Sequence, residues 1–229
     1  MTPLPRDRPL RVVGDVHGDA RGFAAAAATE RFVLQLGDLV DDGPDTPEVL
    51  RIMFALMDRG QGLFLLGNHD FKLARALRGD RIQCSASLRE TINVMDTAMK
   101  DRFLDEARRA PRWIAAGALF FVHGGFHAAM LTEPQPDFPA GRAPPLLARA
   151  LYGQPTGRVT GGGKPERSLA WVHSIPQGMT VYCGHDRRST DGRPLTLHGR
   201  NGGTAIFLDT GAGKGGHLSW IDLPAFTAQ

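Results

Sequence analysis

An α/β fold is what this 229-residue chain predicts, and three observations predict it. Short apolar runs recur along the whole length. Several of them end at a glycine followed by a polar residue. Helical segments alternate with the first three runs. Runs of four or five apolar residues without strict polar alternation suit strands covered on both faces. A glycine after such a strand lets the chain turn sharply and come close to a ligand.

In chain order, LRVV (10–13) runs into GDVHGD, and the alanine-rich GFAAAAATE (22–30) predicts the first helix. FVLQL (32–36) runs into GDLVDDG. PEVLRIMFALMDRG (47–60) opens at proline and closes at glycine, as helices often do. GLFLL (62–66) runs into GNHD. Ser87 and Glu90 then predict a capping box ahead of one long helix to about Ala110, where Pro111 stops it. The first half therefore reads β-α-β-α-β-α. The second half is richer in strands: ALFFV (118–122) into HGG, TVYC (180–183) into GHD, then LTLH, TAIFL (204–208) into DTG, and HLSWIDL. Two stretches, TEPQPDFPAGRAPP (132–145) and GQPTGRVTGGGKPERS (153–168), are expected as long surface loops near the mouth of a site. Motifs continue beyond both, so one domain over residues 1–229 is the expectation.

Composition narrows the partners little. The net charge of +3 selects none, and 23 Arg against 4 Lys reflects genome composition more than function, although a guanidinium suits phosphate. Two cysteines are too few for a disulfide framework, and Cys183 reads as a small buried hydrophobe. MTPLPRDRPLRVV lacks the apolar segment of a signal peptide, and IAAGALFFV is too short to span a bilayer. A soluble cytoplasmic protein with no membrane partner is expected; nothing in the sequence fixes its oligomeric state.

The strand ends collect Asp15, His17, Asp38, Asn68, His69, His123, His185 and Asp209. In open α/β sheets ligands gather at the carboxyl ends of strands. Carboxylate, amide and imidazole suit manganese, iron or zinc. Of the eight histidines, His127, His173, His198 and His217 fall outside these stretches. Taken singly each motif is weak, since an Asp after a strand is more often a turn or cap residue. Six in this order point to a metal site. Between Asp38 and Asp45 four carboxylates crowd together, and they would repel unless something positive sits among them.

GDVHG, GDLVD-G, GNHD, HGG and GH, in this order, resemble the metallophosphoesterases of the phosphoprotein-phosphatase type, relatives of calcineurin. GPDTPEVL, GNHDFKLARALRG, LYGQPTG and LDTG are similar to the phosphatase module of bacterial polynucleotide kinase-phosphatases, to diadenosine-tetraphosphate hydrolases and to small bacterial protein phosphatases. The resemblance implies a calcineurin-like metallophosphoesterase fold, in which two mixed β-sheets pack as a sandwich flanked by helices (αββα). It implies two divalent metal ions, manganese first, with iron, zinc or nickel as alternatives. Asp15 and His17 would hold the first ion, Asp38 would bridge both, and Asn68, His123 and His185 would complete the second. His69 would be the general acid, held by Asp41, and Asp209 could orient a ligand or water.

Such a site suits phosphate esters. Two ions about 3.5–4 Å apart neutralise the phosphoryl oxygens and activate a bridging water as hydroxide, and a protonated histidine relieves the leaving alkoxide. Asp45 reads as the cap or turn before the helix at Pro47. Asp42 is the misfit, because the family carries arginine there (GDxVDRG) to grip the substrate phosphate. Arg158, Arg187 or Arg188 could supply the clamp instead. Alternatively the substrate is a monoanionic diester or a polyphosphate, or the protein binds phosphoanions with little turnover. The expected function is a phosphatase of phosphomonoesters: a phosphorylated protein, a nucleotide or a nucleic-acid end. A phosphodiesterase or dinucleoside polyphosphate hydrolase, an unrelated one-metal hydrolase and a phosphoanion-binding module are the alternatives. No aromatic-interleaved basic stripe for stacking single strands is evident.

Overall fold

The computed structural model describes residues 4–226 apart from 6 and 164, so residues 1–3 and 6 of the N-terminal stretch and Lys164 of the glycine-rich stretch lie outside the described residues. One sheet has β1 (Leu10–Val13), β2 (Phe32–Gln35) and β3 (Gly62–Phe64) as parallel neighbours. Its last strand, β11 (Trp220–Leu223), lies antiparallel along β1. The second sheet runs β4 (Trp113–Ala116), β5 (Leu119–Val122), β8 (Thr180–Cys183), β10 (Thr204–Phe207), β9 (Leu195–His198). Its central three strands are parallel and its two edges antiparallel.

Strand alternation sorts the apolar residues into layers. Leu10, Val12, Phe32, Leu34, Leu63 and Leu65 of the first sheet meet Phe121, Tyr182 and Leu208 of the second between the sheets. Val13, Val33 and Phe64 point the other way, against helices that contribute Phe23, Val49, Met53 and Phe103. Phe120, Val122, Val181, Cys183 and Phe207 cover the far face of the second sheet with Trp171, Ile175 and Phe126. Both faces of the inner strands are buried, which is why those strands read as unbroken apolar runs, whereas the edge strands β9 and β11 alternate with exposed residues. Each such Leu or Phe removed from water contributes roughly 1.5–3 kcal/mol.

The helices begin where a carboxylate or hydroxyl can take a free amide. Asp19 caps α1 (Ala20–Ala27) by accepting from Gly22 N, and Asp45 caps α2 (Thr46–Asp58) by accepting from Glu48 N, with Pro47 in its first turn. α3 (Asn68–Leu77) follows β3. The expected long helix after Ser87 is two helices, α4 (Ala86–Val94) and α5 (Thr97–Arg109). Ser85, not Ser87, caps α4 through Leu88 N. Met95 is extended (φ −84°, ψ 135°), and Asp96 restarts the helix by accepting from Met99 N. An aspartate offers the backbone a local partner outside the helix, and that breaks the run.

Two further differences concern connections, and a third connection is as expected. The stretch around residue 117 is a hairpin of β4 and β5, turning at Gly117 with φ 61°. The glycine-rich 153–168 segment is a two-stranded ribbon, β6 (Gln154–Val159) with β7 (Pro165–Ser168), rather than an open loop. The proline-rich segment stays irregular until α6 (Pro145–Tyr152). Among the described residues no helix is long and apolar enough to cross a membrane.

Candidate metal centre

The loops after β1, β2, β3, β5, β8 and β10 converge on one buried cluster. Asp15, His17, Asp38 and His123 are each at most 2% exposed. Asp15, His17 and Asp38 bring ligand-type atoms within 4.8 Å of one another, and so do Asp38, His123 and His185. Asp38 belongs to both groups. Its Oδ2 is 3.5 Å from His17 Nε2 and its Oδ1 is 3.4 Å from His123 Nε2, so one oxygen faces each group. Asn68 Oδ1, 3.1 Å from His123 Nε2, adds an amide oxygen to the second group.

The hydrogen bonds around the rings aim lone pairs inward. His17 Nδ1 lies 3.2 Å from the Val40 carbonyl and His123 Nδ1 lies 3.0 Å from the Leu36 carbonyl. A carbonyl can only accept, so each Nδ1 donates and each Nε2 keeps its lone pair toward the carboxylates. Buried His185 Nε2 has no hydrogen-bond partner. Burial first, then the neighbouring His123 and Arg167, push the His185 pKa far down and keep that ring neutral. An orphaned buried nitrogen costs about 1–3 kcal/mol unless something fills its lone pair. Carboxylates, imidazoles and one amide around such an orphan fit divalent cations.

Electrostatics points the same way. Burial would raise Asp38, but the surrounding histidines, His123 foremost, outweigh it and hold this carboxyl well below the usual range. Burial would lower His17, yet the Asp15 and Asp38 carboxylates push it up to about 9. At the same atom, His17 Nε2, the Lys214 ammonium stands 2.8 Å away, which requires a lone pair and not a proton there. Proton and ammonium compete for one position, and only one can hold it.

The backbone here is strained. His17, Asp38, Asp41, Asp42 and His185 all have positive φ, between 45° and 70°. Among the described non-glycine residues these are the ones that do. Such conformations cost on the order of 1–3 kcal/mol each and persist where the surroundings over-determine them. Asp70, fully buried, accepts from Asp38 N (2.7 Å), Leu39 N (3.0 Å) and Gly67 N (3.0 Å), clamping the β2 and β3 ends together. His185 N donates to both oxygens of Asp15 at 3.0 Å, and His69 N donates to Asp38 Oδ1 at 2.8 Å. Close approach explains two glycines: a β-carbon on Gly67 would overlap Asp38 N, and one on Gly184 would overlap Asp15 Oδ1.

Asp41 and Asp42 diverge. Asp41 is buried, with Oδ2 2.9 Å from His69 Nδ1 and Oδ1 accepting from the Thr91 hydroxyl at 2.7 Å. Burial pulls the His69 pKa down, but the Asp38 charge and the Asp41 bond outweigh it, and the net shift is upward. Asp42 is more open. Its Oδ2 is 3.1 Å from Lys214 Nζ, and its amide donates to Ser87 Oγ at 2.7 Å. Burial raises the Asp42 carboxyl; Lys214 and His69 more than offset that and lower it.

The remaining sequence candidates lie around this cluster. Asp209 is buried, accepts from Gly211 N at 3.0 Å, and is pushed up to about 7 by burial and by Asp15. Arg158 sits on the exposed ribbon, paired with Glu166 at 2.8 Å; Arg188 binds Asp186; Arg187 lies along the turn at Gly211. Sequence reasoning missed Asp70, Thr91, Arg167 and Lys214. Asp70 closes the GNHD motif and Lys214 stands five residues after Asp209, so both had a signal; Thr91, 50 residues from Asp41, had none.

Residues 8–186 match the family model described as calcineurin-like phosphoesterase. The chain belongs to that family. It has the family's fold, and it is a metal-dependent hydrolase acting on phosphoester bonds. Its similar curated relatives include the bis(5'-nucleosyl)-tetraphosphatase PrpE [asymmetrical] of Geobacillus thermodenitrificans, 25% identical over 95% of this chain and 91% of that protein. A symmetrical bis(5'-nucleosyl)-tetraphosphatase of Nitrosospira multiformis is 29% identical over 94% and 76%. Among solved structures, a candidate diadenosine tetraphosphatase superposes with a TM-score of 0.63 at 24% identity, over 98% of this chain and 97% of the other. A Saccharomyces cerevisiae protein serine/threonine phosphatase has the same TM-score at 12% identity, over 98% and 82%. These two likenesses are of fold.

Proposed function

We propose that this phosphoesterase hydrolyses dinucleoside polyphosphates. Asp15, His17 and Asp38 would hold one divalent ion and Asp38, Asn68, His123 and His185 a second, with Asp209 behind Asp15. Manganese is the ion we propose, and the donor set also accepts iron, zinc or nickel. When bound there, divalent ions neutralise phosphoryl oxygens and lower the pKa of water toward neutrality.

The chain's own residues supply the rest. Asp38 presents one oxygen to each ligand group and keeps the two groups in register. His69, bonded through Nδ1 to Asp41, has Nε2 free to give a proton to the leaving oxygen, and Thr91 fixes the carboxylate that orients it. The single observation that carries the hydrolytic reading is this Asp41–His69 pair beside two ligand groups that share Asp38. Two facts support the polyphosphate substrate. The relatives similar over nearly the whole chain are named for it, and position 42 carries a carboxylate, which repels a dianionic monoester more than the singly charged phosphates of a polyphosphate chain. A second reading, phosphomonoesterase action on phosphoproteins or nucleic-acid ends, draws on the same acid, because an alkoxide needs a proton most.

The test is a side-by-side panel with added manganese: diadenosine tetraphosphate, mononucleotides, phosphorylated RNA ends, phosphopeptides, p-nitrophenyl phosphate and its bis ester. The expected outcome is the highest kcat/KM for diadenosine tetraphosphate. Preference for a phosphopeptide or an RNA end would replace this substrate. Turnover of none, with two metals bound per chain, would mean a phosphoanion-binding module.

A further inference from the structure

We propose that Lys214 is the residue that takes hold of the substrate phosphate at the mouth of this site, with Asp42 as its positioning partner. The proposal rests on the hydrolytic reading above and adds the group that contacts the anion. Lys214 is one of four lysines in the chain and sits in the turn GAGKGG (211–216). Gly213 and Gly215 on either side have φ of 68° and 84°, and Lys214 N closes the turn on Gly211 O at 3.0 Å. A β-carbon on Gly213 would overlap the His17 carbonyl, so the turn lies directly on the first metal-ligand motif. Its ammonium is therefore delivered over His17, 2.8 Å from Nε2, and is anchored at 3.1 Å by Asp42 Oδ2. The side chain stays 32% exposed and that of Asp42 28%, so the pair stands at the opening rather than in the core.

Charge dictates what this ammonium does once cations occupy the ligand groups. Two cations cannot share the His17 lone pair, so the ammonium is driven back toward Asp42 and the opening. An ammonium has three donors. Asp42 takes one, and two are left for phosphate oxygens arriving through the mouth. Of the three arginines expected to clamp the substrate, Arg158 and Arg188 are paired with Glu166 and Asp186, and Arg187 packs along the turn at Gly211. The Asp42–Lys214 pair carries no net charge, whereas with an arginine at position 42 beside Lys214 the pair would carry two positive charges. A point contact within a neutral pair favours a singly charged internal phosphate over a terminal dianion, and so discriminates between substrates as well as binding them.

The test measures inorganic phosphate binding by calorimetry to manganese-loaded protein, with metal content determined for each variant. Lys214→Met is expected to weaken phosphate binding about 10- to 100-fold, the range of one charge-assisted hydrogen bond, with metal content unchanged. Lys214→Arg should restore most of it. Asp42→Asn should raise hydrolysis of p-nitrophenyl phosphate relative to its bis ester, and Lys214→Met should raise KM more than it lowers kcat. Unaltered phosphate affinity in Lys214→Met would overturn the proposal. Loss of metal in that variant would overturn it too, by making Lys214 a support of the metal site. Failure of the substrate reading appears elsewhere, in the panel run with Lys214 intact.

Discussion

Replacing Asp70 should damage stability and metal binding together, although Asp70 is none of the proposed ligands. Its carboxylate accepts from three buried amides, those of Asp38, Leu39 and Gly67. Asp70→Ala leaves these donors without a partner and without water. At about 1–3 kcal/mol for each orphaned group, and allowing for the non-additivity of neighbours, the loss is about 3–6 kcal/mol. Total stabilities are only about 5–15 kcal/mol, and a chain of this size loses about 2–4 °C of Tm per kcal/mol. Metal-stripped Asp70→Ala should therefore melt roughly 10–20 °C lower. Asp70→Asn keeps the volume and one acceptor oxygen, and about half that loss is expected. The same bonds hold Asp38 at φ 62°, so manganese affinity measured by calorimetry should fall in the Asn variant even well below its melting point. A Tm within about 3 °C of wild type for Asp70→Ala, with unchanged manganese binding, would refute the reasoning.

Two further outcomes follow from the site. Asp38→Asn should lower bound metal from two ions to fewer than one per chain by atomic absorption, whereas Asp15→Asn should spare the second site, because Asp38 alone belongs to both groups; equal losses would contradict the sharing. His69 acts only when protonated, so kcat on a monoester should fall as pH rises through its raised pKa. Asp41→Asn removes the carboxylate that helps raise it, so the alkaline limb should move to lower pH and kcat should drop by on the order of 10²- to 10⁴-fold, and a limb that does not move would remove Asp41 from this role.

Much of this site was legible because its signal is local. A buried strand, a glycine and a polar residue form a pattern within five residues, and all six such patterns converge. The buried strands were legible for the same reason: strands covered on both faces lose polar alternation, as Phe120, Phe121 and Val122 do by dividing between two cores, whereas their packing as a sandwich was implied by the family resemblance alone. What could not be read was decided by competition or distance. Ser85, Ser87 and Glu90 offer more than one cap, and only the docking of the helix selects Ser85 and frees Ser87 for Asp42 N. The 153–168 stretch has the glycines of a loop, yet it pairs as a ribbon with Thr156 and Arg158 both on Glu166. The place of Lys214 beside the LDTG motif was a signal, but its role was not legible there, because it depends on Asp42, 172 residues earlier in the chain.

The two successive aspartates at 41 and 42 make sense once the helix break at Met95 is taken with them. Aspartate and asparagine tolerate the left-handed region better than most residues, and both Asp41 and Asp42 occupy it, with φ 70° and 66°. Ser87 and Thr91 are spaced i, i+4 on the short α4 and so share one face, where Ser87 takes the Asp42 amide and Thr91 donates to the Asp41 carboxylate. A single straight helix running on to Arg109 would have to satisfy this face and the packing of Met99 and Phe103 at one angle; the break lets α4 and α5 each take its own. With the turn held at two points, consecutive side chains leave it in different directions. One carboxylate is buried against the His69 ring and the other is left at the opening against the Lys214 ammonium. The crowding of negative charge after β2 is thereby divided: Asp41 lies on His69, Asp42 on Lys214, Asp38 among the histidines of the two ligand groups, and Asp45 on the first turn of α2.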